Sequence, residues 1–166
     1  TKLKPPDGGE ALQEFRRIWH GYSDRPEEAG DYELVVVGGG MAGTCAAVSA
    51  SRLGIKVALI QDRPIVGGNN SSEVRVWLQG SKRSPDASHL GDVLAEFEQE
   101  NKAHYGEENQ AFLYEDEKKM AVVRAEKNLS FFPNLRVNKV ESKNGKIIAV
   151  IAENTESGKR LRFTGP

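Results

Sequence analysis

The stretch ELVVVGGGMAGTCAAVSASRLGIKVALIQDRP, residues 33 to 64, carries a complete strand–helix–strand pattern. Leu34 to Val37 and Ile55 to Ile60 are continuous apolar runs, typical of strands buried on both faces of a parallel sheet. Ala42 to Leu53, between them, is rich in small residues, which predicts a helix packed closely on the sheet, and Gly54 ends it. The stretch therefore predicts a βαβ unit of the α/β class, of about thirty residues.

Three glycines in the turn before the helix match the pattern G-x-G-x-x-G. Gly38 allows the tight turn, Gly40 lets a pyrophosphate approach the backbone, and Gly43 lets the helix pack closely on the strand. The helix then points its free N–H groups and the positive end of its dipole at the phosphates, and Met41 and Ala42 are predicted to bind the cofactor. The turn therefore predicts a dinucleotide site.

The end of the second strand normally carries an acid that binds the adenosine ribose. This sequence has Gln61 there, whose amide oxygen can accept a ribose hydroxyl without contributing charge. Asp62 is the alternative, one residue later and directed to the other side of a regular strand. Arg63 either pairs with a phosphate or is solvated, so the ribose and phosphate contacts stay open between these residues.

The next motif is GGNNSSEVRV, residues 67 to 76. Together with GGGMAG it resembles the bacterial FAD-dependent oxidoreductases, which have the FAD-binding fold of the glutathione-reductase type. The resemblance implies FAD as the cofactor, although Gln61 departs from the glutamate of the broader pattern. It also implies that a glycine pair passes close to the dinucleotide and that the residues after it line the path to the flavin: Gly67, Gly68, Asn69, Asn70 and Ser71.

The C-terminal part predicts an antiparallel meander. A short apolar strand, Leu129 to Phe132, is followed by three runs separated by turn sequences: Leu135 to Glu141, Lys146 to Glu153 and Lys159 to Phe163. The resemblance implies a Rossmann-like FAD-binding domain, a parallel βαβ sheet with this meander inserted. It also implies that the backbone near Val137 lies beside the adenine, although the sequence alone favours a core valine on a strand, which is compatible with that contact.

The remaining segments give weaker patterns. Residues 1–30 are interpreted as a tail, a short amphipathic helix and a linker, and residues 31–166 as the N-terminal part of the FAD-binding domain. The other predicted elements are a helix over Glu10 to His20, a linker over Gly21 to Gly30, a short strand over Glu73 to Leu78, and helices over Asp86 to His104 and Glu108 to Lys127.

Composition excludes several classes of function but does not identify one. There are 23 Lys and Arg against 24 Asp and Glu, so the charge balance favours neither nucleic acid nor an anionic membrane. The single Cys45 excludes an internal disulfide framework. No apolar run predicts a membrane span, and a cytoplasmic location is favoured. The histidines are isolated from one another, so no catalytic residue is predicted.

The resemblance also implies that the fold is incomplete. In the family a further parallel strand, a second glycine motif and a substrate domain follow the meander, whereas this sequence ends at Pro166. We therefore expect the N-terminal portion of a longer oxidoreductase that passes two electrons through FAD to or from an unknown small-molecule substrate. The alternatives are an NAD-dependent dehydrogenase, since the same glycines serve either dinucleotide, and a ligand-free interaction module of Rossmann shape.

Overall fold

A computed structural model describes residues 4, 8–21, 25–79, 91–102 and 105–165 of the chain. Its elements follow in chain order, with a 3-10 helix, Ala111–Tyr114, before the last α-helix. The helices and strands are α1 (Gly9–His20), β1 (Glu27–Asp31), β2 (Leu34–Val37), α2 (Met41–Arg52), β3 (Val57–Ile60), α3 (Asp92–Glu96), α4 (Asp116–Ala125), β4 (Leu129–Phe132), β5 (Leu135–Lys143), β6 (Lys146–Asn154) and β7 (Arg160–Thr164).

The predicted βαβ unit is confirmed as the centre of a parallel sheet of order β2-β3-β4. The central strand β3 is buried at every position, and its side chains alternate between two cores. Val57 and Leu59 pack in a core with residues of α2 and α4, including Ala47 and Val123. This alternation explains why β3 is apolar throughout, as a strand covered on both faces must be.

The other face of the parallel sheet is covered by a second sheet of order β1-β7-β6-β5. Strand β6 is antiparallel to both of its neighbours, which confirms the predicted meander. Phe163 of β7 is fully buried and meets Phe132 of β4 edge to face, with ring centroids 4.8 Å apart. The described chain is thus layered as helices, parallel sheet and meander, with one apolar core on each side of the parallel sheet.

The prediction of a linker over Gly21 to Gly30 was wrong at its C-terminal end. Strand β1 begins at Glu27 and pairs in parallel with β7. Its sequence EEAGD lacks the alternation of a strand, so β1 forms because it pairs with β7. Two ion pairs support this pairing, one between Arg162 of β7 and Glu28 and one between Lys159 and Glu27. Tertiary pairing here overrides a weak local preference.

Two of the predicted helices are shorter than expected. The prediction over Asp86 to His104 lies partly outside the described residues (86–90 and 103–104), and the described part contains only α3. The helix over Glu108 to Lys127 is broken at Glu115, which has a left-handed backbone (φ 47°) between the 3-10 helix and α4. The helix predicted over Glu10 to His20 is confirmed as α1.

The predicted strand over Glu73 to Leu78 was also wrong. Its backbone turns back on the preceding loop, where Arg75 N–H donates to the Ser71 carbonyl at 2.8 Å and Val76 N–H donates to the Asn69 carbonyl at 2.9 Å. Arg75 itself has a positive φ of 62°. These local hydrogen bonds replace the ladder that a strand would need. Among the described residues, no helix is long and apolar enough to cross a bilayer.

The core between the two sheets predicts a large effect at Phe163. Phe163→Ala removes a fully buried ring, which we expect to lower the free energy of unfolding by roughly 3–5 kcal/mol. Ile147→Ala on β6 is the control, because that side chain is 55% exposed and should cost less than about 0.5 kcal/mol. Denaturant unfolding measures both. Equal losses for the two variants would contradict the assigned core.

Candidate functional site

The glycine turn lies between β2 and α2, and most of its glycines are required by internal geometry. Gly38 has a φ of 103°, which L residues rarely adopt. A Cβ on Gly43 would lie 2.0 Å from the carbonyl oxygen of Gly38, so helix and strand pack as closely as predicted. A Cβ on Gly39 would lie within 3.1–3.2 Å of side-chain atoms of Gln61. Each of these glycines is explained without a ligand.

Gly40 is different, because nothing inside the described chain requires a glycine there. Its φ is −64°, and a Cβ would meet no atom within 4 Å. Gly40 caps the N-terminus of α2 without a side-chain hydrogen bond, and the first turn of α2 contains no acid. The N–H groups of this turn therefore face open space at the positive end of the helix dipole, an arrangement suited to an anion.

The Gly67–Gly68 pair packs directly on the glycine turn. Gly67 N–H donates to the Gly39 carbonyl at 2.8 Å, and a Cβ on Gly68 would lie 3.0 Å from the Cα of Gly40. Gly67 has a φ of 114°, and a Cβ there would lie 2.4 Å from the Asn70 carbonyl oxygen. Two motifs separated in sequence thus meet backbone to backbone.

A cavity of about 570 Å³ opens at this contact. It brings together most of the predicted cofactor residues, but Gln61, Asp62, Arg63, Ser71 and Val137 are not part of its lining. Its lining also includes residues that were not predicted for the site, from the segment that follows the Gly67–Ser72 loop. The lining residues are Gly38, Gly40, Met41, Ala42, Gly43, Gly67, Gly68, Asn69, Asn70, Val76, Trp77, Leu78 and Gln79.

Two buried polar atoms in the lining residues have no hydrogen-bond partner within the described chain. They are Oδ1 of Asn70 and Nε1 of Trp77, whose residues are 3% and 7% exposed. Buried polar groups are normally paired, so this acceptor and this donor are among the exceptions in the described chain. Trp77 stacks on Tyr114 with ring centroids 4.5 Å apart, which fixes the indole ring.

The three residues that follow β3 contact different parts of the structure. Gln61 is buried and its Oε1 accepts a hydrogen bond from Gly39 N–H at 2.8 Å, so it belongs to the glycine turn. Asp62 points elsewhere and pairs with Arg136 at 3.3 Å. Arg63 is largely exposed and lies 3.9 Å from a Glu73 carboxylate oxygen. Only Gln61 is hydrogen-bonded to the turn that lines the cavity.

Two further predicted residues lie near the site without lining the cavity. Ser71 is buried and its hydroxyl donates to the Gly68 carbonyl at 2.7 Å, so it stabilises the loop from within. Val137 pairs with Ala152 in the meander and packs against the core between the sheets. The start of β5 is nevertheless tied to the end of β3, because Leu135 N–H donates to the Gln61 carbonyl at 2.9 Å.

Sequence reasoning missed Thr44 and Trp77. Thr44 is fully buried in α2 and its hydroxyl donates to the Gly39 carbonyl at 3.0 Å, which helps to hold the turn. Its position directly after the glycine motif was the available signal. Trp77 lay in a segment interpreted as a strand, where an apolar residue indicates packing. Its role depends on how that segment folds back, which no local pattern gives.

The described residues contain no metal centre. No cluster of His, Cys, Asp and Glu among them could hold a metal ion. Cys45 is half-buried, and burial raises the pKa of its thiol, so the thiol stays protonated and unreactive at neutral pH. His89 and His104 lie outside the described residues.

Comparison with known proteins agrees with this geometry. A family model described as FAD dependent oxidoreductase matches residues 33–166. A soluble pyridine nucleotide transhydrogenase of Ectopseudomonas mendocina (strain ymp) is 51% identical over 39 residues, which cover 24% of this chain and 8% of that protein's length.

Solved structures show the same fold at low sequence identity. The 3-ketosteroid-delta4-(5alpha)-dehydrogenase from Rhodococcus jostii RHA1 is 13% identical with a TM-score of 0.52, over 85% of this chain and 47% of that one. The myxobacterial chondrochloren halogenase CndH, described as a variant of FAD-dependent halogenases, is 17% identical with a TM-score of 0.51, over 84% of this chain and 36% of that one.

The chain belongs to the FAD-dependent oxidoreductase family, because the family model covers most of its length. The resemblance inferred from GGGMAG and GGNNSSEVRV is thereby confirmed, and the cofactor is FAD. The fold prediction, a Rossmann-like domain with an inserted meander, is confirmed as well.

Gly43 and Gly40 are expected to differ in how much an added methyl group lowers stability. Gly43→Ala places a methyl group against the Gly38 carbonyl, so we expect it to lower the free energy of unfolding by about 2 kcal/mol or more. Gly40→Ala is the matched control, and without cofactor it should change stability by less than about 0.5 kcal/mol because its Cβ has free space. Denaturant unfolding of the cofactor-free protein compares them. A tolerated Gly43→Ala would contradict the close packing of helix and strand.

Proposed function

We propose that this chain is the FAD-binding portion of an oxidoreductase acting on a small-molecule substrate. Bound FAD supplies the two-electron chemistry, and the described residues bind and orient it. The observation that carries the proposal is Gly40. It is the one glycine of the G-x-G-x-x-G triad that neither backbone conformation nor internal packing explains, and it lies at the uncapped start of α2 beside the cavity.

The roles of individual residues follow from their positions. Met41 and Ala42 would present backbone N–H groups to the pyrophosphate, since they open α2 and line the cavity. Gln61 is the better supported ribose partner, because its Oε1 already bonds the turn at Gly39 and keeps a second lone pair. Asp62 is held by Arg136 instead. The adenine contact near Val137 stays a prediction from the resemblance.

We propose that the residues that bind the substrate and the electron acceptor belong to other parts of the protein. The stretch shared with the transhydrogenase covers 8% of that protein's length, and the chain covers 36–47% of the two flavoprotein structures compared. We propose that further parts of a longer polypeptide complete the FAD site and form the substrate site. A cytoplasmic location is proposed from the sequence alone.

The alternatives have less support. An NAD-dependent dehydrogenase would share the glycine turn, but the family match argues for FAD. A ligand-free module would leave Gly40 without explanation. Calorimetric titration of the complete natural polypeptide, freed of flavin, separates the three. We expect tight FAD binding, whereas tight NADH binding without FAD binding would support the dehydrogenase and binding of neither would support the module.

Gly40→Val tests the position of the pyrophosphate. The branched side chain would fill the open space beside the first turn of α2, so we expect FAD affinity to fall by at least about tenfold while the protein stays folded. Ala46→Val on the exposed side of α2 adds similar bulk away from the cavity and should leave FAD affinity unchanged. Flavin content and FAD titration measure both variants. Full flavin occupancy in Gly40→Val would place the pyrophosphate elsewhere.

Trp77→Phe tests the unpaired donor. Phenylalanine can keep the stack on Tyr114 but removes the indole N–H, so we expect FAD affinity to fall about 3- to 10-fold, the usual worth of one hydrogen bond. Trp19→Phe on α1 is the control, because that side chain is 60% exposed and does not line the cavity. Unchanged FAD affinity in Trp77→Phe would show that Nε1 does not contact the cofactor.

A further inference from the structure

Lys119 of α4 is fully buried beneath the Gly67–Ser72 loop. Its ammonium donates to the Asn70 carbonyl at 2.7 Å and to the Tyr114 carbonyl, and it lies 3.5 Å from Oδ1 of Asp116. Burial lowers the pKa of Lys119 from its usual range, and the Asp116 carboxylate opposes that shift. The proposed binding role leaves this buried charge without a function.

A buried charge such as the Lys119 ammonium is a poor way to gain stability alone. Desolvating an ammonium costs on the order of several kcal/mol, and a well-packed apolar side chain in its place is often as stable or more stable. Lys119 lies on the same face of α4 as Val123, which fills the helix–sheet core with no charge. The hydrogen bonds that Lys119 makes therefore point to a requirement for one particular backbone conformation.

The contacts of this pair flank Ser71. On one side Lys119 binds the carbonyl of Asn70, and on the other the Asp116 carboxylate accepts the Ser72 N–H, with both oxygens at 3.2 Å. The Cδ of Lys119 also lies 3.6 Å from the position of a Cβ on Gly67. The first turn of α4 thus fixes the loop whose Gly67–Gly68 pair packs on the glycine turn.

We propose that Lys119 and Asp116 form a positioning pair that holds the Gly67–Ser72 loop in its cofactor-binding conformation. The pair does not touch the cofactor, because neither residue lines the cavity and the Lys119 ammonium is already engaged by three acceptors. It acts through Asn70 and Ser72. This inference rests on the proposed function, in which the cavity beside Gly40 binds the FAD pyrophosphate.

Lys119→Met in the complete natural polypeptide tests the proposal, since methionine keeps an unbranched side chain without the charge. We expect the dissociation constant for FAD to rise by about tenfold or more. Amide hydrogen exchange in the flavin-free protein should accelerate selectively over residues 69–75. Val123→Ala is the matched control: it opens a cavity in the core on the same face of α4 and should lower the thermal midpoint, but leave FAD affinity within about twofold. An equal loss of affinity in both variants, or wild-type affinity in Lys119→Met, would overturn the proposal.

Asp116→Asn provides a second, milder variant if Lys119→Met does not fold. Asp116 is partly exposed, and the amide keeps its size while weakening the hold on Ser72, so we expect about a 3- to 10-fold loss of FAD affinity. In the double variant the losses should be less than additive, since the two residues act as one unit. Fully additive losses would show two independent residues and contradict the pair.

The hydrogen-exchange measurement separates this inference from the proposed function. If the wild-type polypeptide binds no FAD, the proposed function fails, while selective acceleration in the Lys119→Met loop would still support the pair. If FAD binds and the loop of Lys119→Met or Asp116→Asn exchanges at the wild-type rate, the proposed function stands and the positioning pair is wrong.

Discussion

The backbone contact between the glycine turn and the Gly67–Gly68 pair is the constraint on which the site depends. The Gly39 carbonyl accepts a hydrogen bond from the Gly67 N–H at 2.8 Å. A Cβ on Gly68 would lie only 3.0 Å from the Cα of Gly40. A larger residue at Gly68 would push the two segments apart, and one at Gly67 would clash with the Asn70 carbonyl of its own loop. The approach also leaves one wall of the cavity made of backbone, which suits a ligand rich in oxygen acceptors.

The rest of the fold holds these two segments in place. β3 lies between the helices and the meander, and Gln61 at its end binds Gly39 by its side chain and Leu135 by its carbonyl. The turn, the central strand and the meander are therefore linked through one residue. On the opposite side, α4 supports the Gly67–Ser72 loop through Lys119, so both walls of the cavity are attached to the packed core.

The parts that the sequence predicted are those specified by local patterns. β2, α2 and β3 follow from apolar runs and glycines, and the meander follows from its turn sequences. The parts that it did not predict depend on contacts with residues outside the local segment. β1 has no strand pattern and forms because β7 offers it an edge. The segment from Glu73 to Leu78 alternates like a strand, but hydrogen bonds to the Asn69–Ser71 backbone fold it back.

The candidate site divides in the same way. The glycines, Met41, Ala42 and the two asparagines were predicted from motifs and line one cavity. Lys119 could not be predicted, because a lysine within a charged helical stretch is normally solvated and only the nearby carbonyls of Asn70 and Tyr114 make its burial tolerable. Trp77 enters the site only because the segment after the loop folds back toward the cavity.

We propose that the FAD pyrophosphate lies between the first turn of α2 and the Gly67–Gly68 pair. A crystal structure of the complete natural polypeptide with FAD bound would show its position. We expect pyrophosphate oxygens within about 3.2 Å of backbone nitrogens in the first turn of α2, above Gly40. A pyrophosphate bound elsewhere, with the space above Gly40 filled by solvent or by another part of the chain, would contradict it.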